Sequence, residues 1–241
     1  MIDLELLSPV DVLASGRSAE GLGGHWYGVY PAVVRDNVDP EGQGRVKVHL
    51  PWAPDTLNDR YEAWARVATL MGGNKRGSWF IPDVEDEVLV CFEAGDVRRP
   101  YVLGGLWNGK DKPPASMDGG GRNFKKVLKS RNGVTITLDD SDGREQFIAE
   151  TPGGQKLTLK DGPDSIELAD SNGNSIKMEA GGITLTTPAS LTINASTVTV
   201  NASNTTVSGP TTLSATLTVG ASITTPSITS ASYTPGAGNI W

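Results

Sequence analysis

Charge stops abruptly in this chain. Every Asp, Glu, Lys and Arg lies at or before Glu179, and the stretch from Ala180 to Trp241 holds none of them and no His. Sixteen Thr and nine Ser occupy the 61 residues from Gly181 to Trp241. Such polarity alone would suit disorder or a mucin-like stalk, but the order of the residues argues against both. Apolar residues recur as i, i+2 pairs: Ile136/Leu138, Leu157/Leu159, Ile166/Leu168, Ile176/Met178, Ile183/Leu185, Leu191/Ile193 and Val198/Val200. Thr, Asn, Glu or Lys stand between and beside them, so one face of an extended chain is apolar and the other wet. From residue 157 the pairs step by 9, 10, 7, 8 and 7 residues, with Asp161-Gly162-Pro163, Asn172-Gly173-Asn174 and Gly181-Gly182 in the gaps. Those are turn residues. Short strands at a near-constant spacing signal a stacked array. Beyond residue 200 the pattern thins to single anchors: Val207, Leu213, Leu217, Val219, Ile223 and Ile228.

A strand with two inward residues cannot hold itself. Burying each Val, Leu or Ile contributes about 1.5–3 kcal/mol, whereas ordering an eight-residue repeat costs about 1–2 kcal/mol per residue in backbone entropy. The stripe needs neighbours that close it from other sides. Three copies about a threefold axis do so economically and leave no strand edge along the length. The pattern therefore predicts a homotrimeric β-prism, with the fourteen residues of those seven pairs turned inward. A single-chain solenoid, an adhesin stalk and an ice-binding face built on Thr184/Thr186 and Thr197/Thr199 are the alternatives, but a solenoid normally uses repeats of about 20 residues or more. Asn194 and Asn201 begin Asn-Ala-Ser acceptor triplets, which read as outward Asn at strand ends.

The front of the chain is different. Apolar stretches at Tyr27–Val34, Arg45–Leu50, Ala63–Leu70, Glu87–Phe92 and Tyr101–Leu106 are separated by Gly-rich segments such as residues 39–44, 71–74 and 93–96. Five short strands with such turns predict a small β-barrel.

Here the sequence resembles a known family. Val33-Val34-Arg35-Asp36-Asn37-Val38-Asp39-Pro40-Glu41-Gly42-Gln43-Gly44-Arg45-Val46-Lys47-Val48, followed by Leu50-Pro51, is similar to the opening of the OB-fold domain of baseplate spike proteins. Trp64-Ala65-Arg66-Val67-Ala68 resembles its third strand, Pro82–Val90 its fourth, and Phe92–Asp96 the following turn. Arg99–Gly104 and Trp107-Asn108-Gly109 complete a match of about 85 residues. Two positions depart from the family pattern: Glu85 stands where Gly is usual, and Val97 where Pro often follows Gly-Asp. The family includes VgrG of type VI secretion, phage baseplate assembly protein V, the cell-puncturing lysozyme of T4-like phages and the spikes of extracellular contractile injection systems. The resemblance implies an OB domain that trimerises and leads into a triple-stranded β-helix, the object already read from the rear half.

The expected organisation is an N-terminal extension (1–25), an OB-fold domain (26–110), a linker (111–130), a triple-stranded β-helix needle (131–232) and a tip (233–241). The fold class is all-β. The linker, with Pro113-Pro114 and Gly119-Gly120-Gly121, is too short to hold the inserted lysozyme of some relatives.

No catalytic constellation emerges. His25, His49 and Cys91 lack zinc-like spacing, and Asp83, Glu85, Asp86 and Glu87 read as a charged turn beside a strand. A net charge of −7 disfavours nucleic acid as a partner. The expectation is no enzyme, no metal and no cofactor. With no His after residue 49, a His-x-His metal tip is not expected; Tyr233, Ile240 and Trp241 instead suggest contact with a PAAR-repeat tip protein or a self-capping plug. Leu4, Leu6 and Leu7 suggest docking on a separate hub chain. The N-terminus shows no secretory signal, so assembly is expected in the bacterial cytoplasm, as part of a virion tail or injection particle. The expected function is a membrane-puncturing spike, with a receptor-binding fibre or a peptidoglycan-degrading enzyme as alternatives.

Overall fold

Alternation in the front half closes a barrel. The computed structural model describes residues 25–53 and 61–232. Strands β1 (Val29–Asp36), β2 (Val46–His49), β3 (Glu62–Val67), β6 (Glu87–Phe92) and β7 (Pro100–Gly105) form a closed barrel in the order β1-β2-β3-β7-β6. All neighbours are antiparallel except β3 and β7, which run parallel with Arg66 opposite Tyr101 and Val67 opposite Val102. Alternate residues point inward, so Ala32, Val34, Val46, Val48, Ala65, Val88, Val90 and Val102 are completely buried. Trp26, Tyr30, Trp52 and Phe92 pack together at the edge of this core, with the Trp26 and Trp52 rings 4.0 Å apart and the Trp52 indole donating to the Pro31 carbonyl at 2.6 Å. A two-residue ribbon, β4 (Gly72–Gly73) with β5 (Arg76–Gly77), projects between β3 and β6.

Two barrel turns explain particular residues. In the loop after β1, the Asp39 carboxylate accepts from the backbone N–H groups of Glu41, Gln43 and Arg45 and from the Arg45 guanidinium at 2.8 Å. That guanidinium holds the Asp39 carboxyl well below the usual range. Gly44, at φ +73°, lies under Trp79, whose ring is 3.0 Å from where a Cβ would stand. Before β6, Glu85 adopts φ +76°. This left-handed conformation favours glycine, so the departure noted in the sequence falls on a position whose backbone suits the usual residue. Glu85 is tied down by its own N–H, which donates to the Val34 carbonyl, and by an ion pair with Arg35.

The rear strands form one antiparallel ladder in strict sequence order: β8 (Lys125–Lys129), β9 (Thr135–Asp139), β10 (Gln146–Glu150), β11 (Lys156–Lys160), β12 (Ser165–Ala169), β13 (Ser175–Glu179) and β14 (Gly182–Thr186). Every strand has five residues. β8, within the segment expected as linker, pairs with β9 along its whole length. The Arg131 side chain, in the β8–β9 turn, reaches Asp83 of the barrel at 2.9 Å.

The two edges of this ladder differ. On one, the turns 130–134, 151–155 and 170–174 all have five residues, with Gly133, Gly154 and Gly173 at positive φ in the fourth place. Each of these glycines faces the second residue of the following turn on that edge, Pro152, Ser171 and Pro188 in succession. On the other edge the turns 140–145, 161–164 and 180–181 shorten from six residues to four to two.

The chain divides into two units, residues 1–189 and 190–241. In the second, the described residues 190–232 contain no strand and all are exposed.

Candidate functional site: the apolar face of the ladder

Register turns the apolar pairs into two columns. One runs Leu128, Ile136, Ala149, Leu157, Leu168, Ile176, Leu185; the other Leu138, Phe147, Leu159, Ile166, Met178, Ile183. Directly opposed residues on antiparallel strands share a face, so the columns form one continuous surface two side chains wide. Lys126 heads the second column, paired with Asp140.

Among the described residues nothing covers this surface. In β9, β12 and the first half of β13, the apolar residues are more exposed than the polar residues between them. Ile183 is 73% exposed and Leu168 54%. Leu157 is half-buried, and the other ladder residues expected inward are exposed. In the second unit Leu191, Ile193, Val198 and Val200 are exposed as well. Tyr233, Ile240 and Trp241, and likewise Leu4, Leu6 and Leu7, lie outside the described residues.

Polar groups hold the opposite face and the turns. Glu167 stands opposite Lys177, and Lys177 donates to the Glu179 carboxylate, which raises the lysine's pKa. Asp139 is lowered first by the Ser141 hydroxyl it accepts from. In the 170–174 turn the Asp170 carboxylate accepts from the Asn174 side chain at 2.8 Å and from the backbone N–H groups of Asn172 and Asn174, and its pKa falls to about 2.

Sequence reasoning missed Leu128, Phe147 and Ala149, which complete the columns, and a second exposed apolar cluster beside the β4–β5 ribbon: Leu70, Met71, Trp79 and Phe80. The acidic turn at 83–87 is fully occupied structurally. Asp83 binds Arg131, Glu85 binds Arg35, Asp86 accepts from the Asp83 N–H, and Glu87 accepts from Asn108. Among the described residues no group of three His, Cys, Asp or Glu side chains gathers as a metal-ligand set.

Comparison with known proteins gives the barrel and the rear of the chain separate matches. Residues 30–107 match the type VI secretion system/phage-baseplate injector OB domain, and residues 146–207 the phage baseplate V C-terminal trimerisation domain. The baseplate V trimerisation match starts at β10 and runs past the last strand at Thr186 into the second unit. Similar curated proteins include the type VI secretion spike proteins VgrG1b and VgrG1a of Pseudomonas aeruginosa, 29% identical over 137 residues and 32% over 124. VgrG3 of Vibrio cholerae is 31% identical over 124 residues. These alignments cover 51%, 46% and 46% of this chain but only 18%, 19% and 12% of those proteins. The chain thus spans less than a fifth of the length of each. A further relative from V. cholerae, 29% identical over 123 residues, is named an actin cross-linking toxin.

Proposed function

We propose that the chain is the homotrimeric, membrane-puncturing spike of a contractile injection machine, joining a hub protein on a separate chain to a PAAR-repeat tip protein. The observation that carries this reading is the two-column apolar face, open among the described residues and lying from β10 onward in a region that matches a trimerisation domain. Three such faces turned to a common axis bury one another, and five-residue strands hydrogen-bonded in series give a stiff axial element. The second unit supports the same reading. Its described residues, 190–232, are all exposed, and ordering them costs about 1–2 kcal/mol per residue with no strand pairing among them to offset that cost; other copies supply the pairing. The role is mechanical rather than catalytic on this reading, which is supported by the acids of the 83–87 turn being engaged in the barrel's architecture. Assembly in the bacterial cytoplasm, before incorporation into a tail or injection particle, belongs to this reading. No helix among the described residues is long and apolar enough to cross a membrane.

Light scattering on the full chain should return three times its 25.4 kDa mass; a folded monomer in dilute buffer would remove the reading. Lys at the outward positions Thr184 and Thr199, in the uncharged stretch, should leave the trimer intact and reduce delivery. Unchanged delivery would show that the uncharged surface plays no part in crossing the bilayer. Copurification with mass spectrometry identifies the hub and tip proteins.

A further inference from the structure

The strands of the ladder run from one edge to the other, so all the turns lie on two lateral edges. Those edges carry different charge. Counting strand ends and turns, the edge of five-residue turns holds three cations, Lys129, Arg131 and Lys156, against two carboxylates, Glu150 and Asp170. The edge of shortening turns holds seven carboxylates, among them Asp140, Asp142, Asp161 and Asp164, against three cations. The asymmetry is also ordered along the ladder. Arg131, between β8 and β9, is one strand away from the acidic turn between β9 and β10; Lys156 opens β11, and the Asp161–Asp164 turn follows at its other end. One strand spacing is about 4.8 Å. Among the described residues Lys129 and Lys156 form no ion pair, whereas Arg131 is held by Asp83.

A closed ring of identical subunits has heterologous contacts: one side of each copy meets the other side of the next. With the apolar face turned to the axis, the two lateral edges are those sides. We infer that the acidic edge of each copy seats against the cationic edge of its neighbour, and that this pairing fixes the axial register of the trimer. The partner is a second copy of this chain. Charge complementarity adjoining an apolar interface selects for that arrangement, because only this register sets Lys129 and Arg131 against the most acidic segment, residues 139–145, and a copy inverted end to end sets Asp170 against it. Electrostatic matching of this kind governs the rate and correctness of association more than its final strength. The apolar columns are two residues wide and nearly uniform along their length, so they specify register weakly by themselves. The inference rests on the trimer proposed above.

The test uses the full chain refolded at low ionic strength, followed by light scattering. Lys129→Glu with Lys156→Glu reverses one edge; Asp142→Lys with Asp161→Lys and Asp164→Lys reverses the other. Either set alone should slow trimer formation about tenfold or more. The two sets together restore opposite signs and should recover most of the wild-type rate, which separates edge pairing from damage to the fold. In 1 M salt, where the screening length is about 3 Å, all variants should converge. Single-edge variants that assemble at the wild-type rate in low salt, or a combined variant slower than both, would overturn the edge pairing while leaving the trimer in place. A wild-type chain that remains monomeric would overturn the trimer and the edge pairing together.

Discussion

The barrel, antiparallel except at its β3–β7 pair, and the ladder are both sheets in which alternate residues turn to one face, yet only one of them finishes its own core. In the barrel, six valines are completely buried by strands of the same chain. In the ladder, thirteen apolar side chains line up in two columns and most of them stay in solvent. The difference is closure. A five-stranded sheet that meets its own first strand creates an inside; seven strands in sequence order leave both faces open. Alternation therefore says that a strand has an apolar face and says nothing of who covers it.

The sharpest way to break this contrast is a buried charge in each region. Leu185→Asp should abolish trimer formation while the barrel keeps its folded signature, because the carboxylates of three copies would meet in an apolar interior, and an unpaired buried charge costs several kcal/mol. Val48→Asp should instead unfold the barrel. A Leu185→Asp chain that stays trimeric by light scattering would show that the columns are not the interface. A smaller effect comes from backbone geometry. Glu85→Gly relieves the left-handed conformation and sacrifices an exposed ion pair of little worth, so the barrel should gain up to about 1 kcal/mol. A melting temperature that fails to rise would mean that the Arg35 contact outweighs the strain.

Acid should separate the two regions by the least. Asp170 has its pKa depressed in the fold to about 2, so its contribution is complete above its unfolded value near 4 and is lost as pH falls through about 2. Asp39 is held lower still by Arg45, so the barrel's loop should outlast the ladder's turn during acidification. Asp170→Asn removes the pH dependence of that turn. Circular dichroism titrations of the two proteins that superimpose between pH 4 and pH 2 would refute the assignment.

What the sequence made legible follows from these same forces. The five barrel strands are visible as apolar stretches between Gly-rich turns, and the pairs from Ile136 to Leu185 because nearly every inward residue there stands between polar neighbours. β10 is hidden because Phe147 and Ile148 are adjacent apolar residues and blur the period. β8 is hidden because Lys126 takes an apolar column's place and three lysines make the segment read as a loop. Past Thr186 the pairs Leu191/Ile193 and Val198/Val200 continue the pattern, yet no strand forms in the single chain. A strand is defined by hydrogen bonds to another, and here none of the described residues provides the partner. Charge told least about position: the unequal distribution across the two edges becomes visible only once register assigns each turn to a side.

The outer strands of the ladder also differ from one another. β8 presents Lys125, Lys126 and Lys129 along its free margin, whereas β14 is Gly-Ile-Thr-Leu-Thr with no charge at all. Lysines on a bare strand discourage anything from adding to it. Growth of the sheet is therefore blocked at the end nearest the barrel in sequence and permitted at the other, which gives the stack a polarity: it has a fixed base, and it can be extended only away from it.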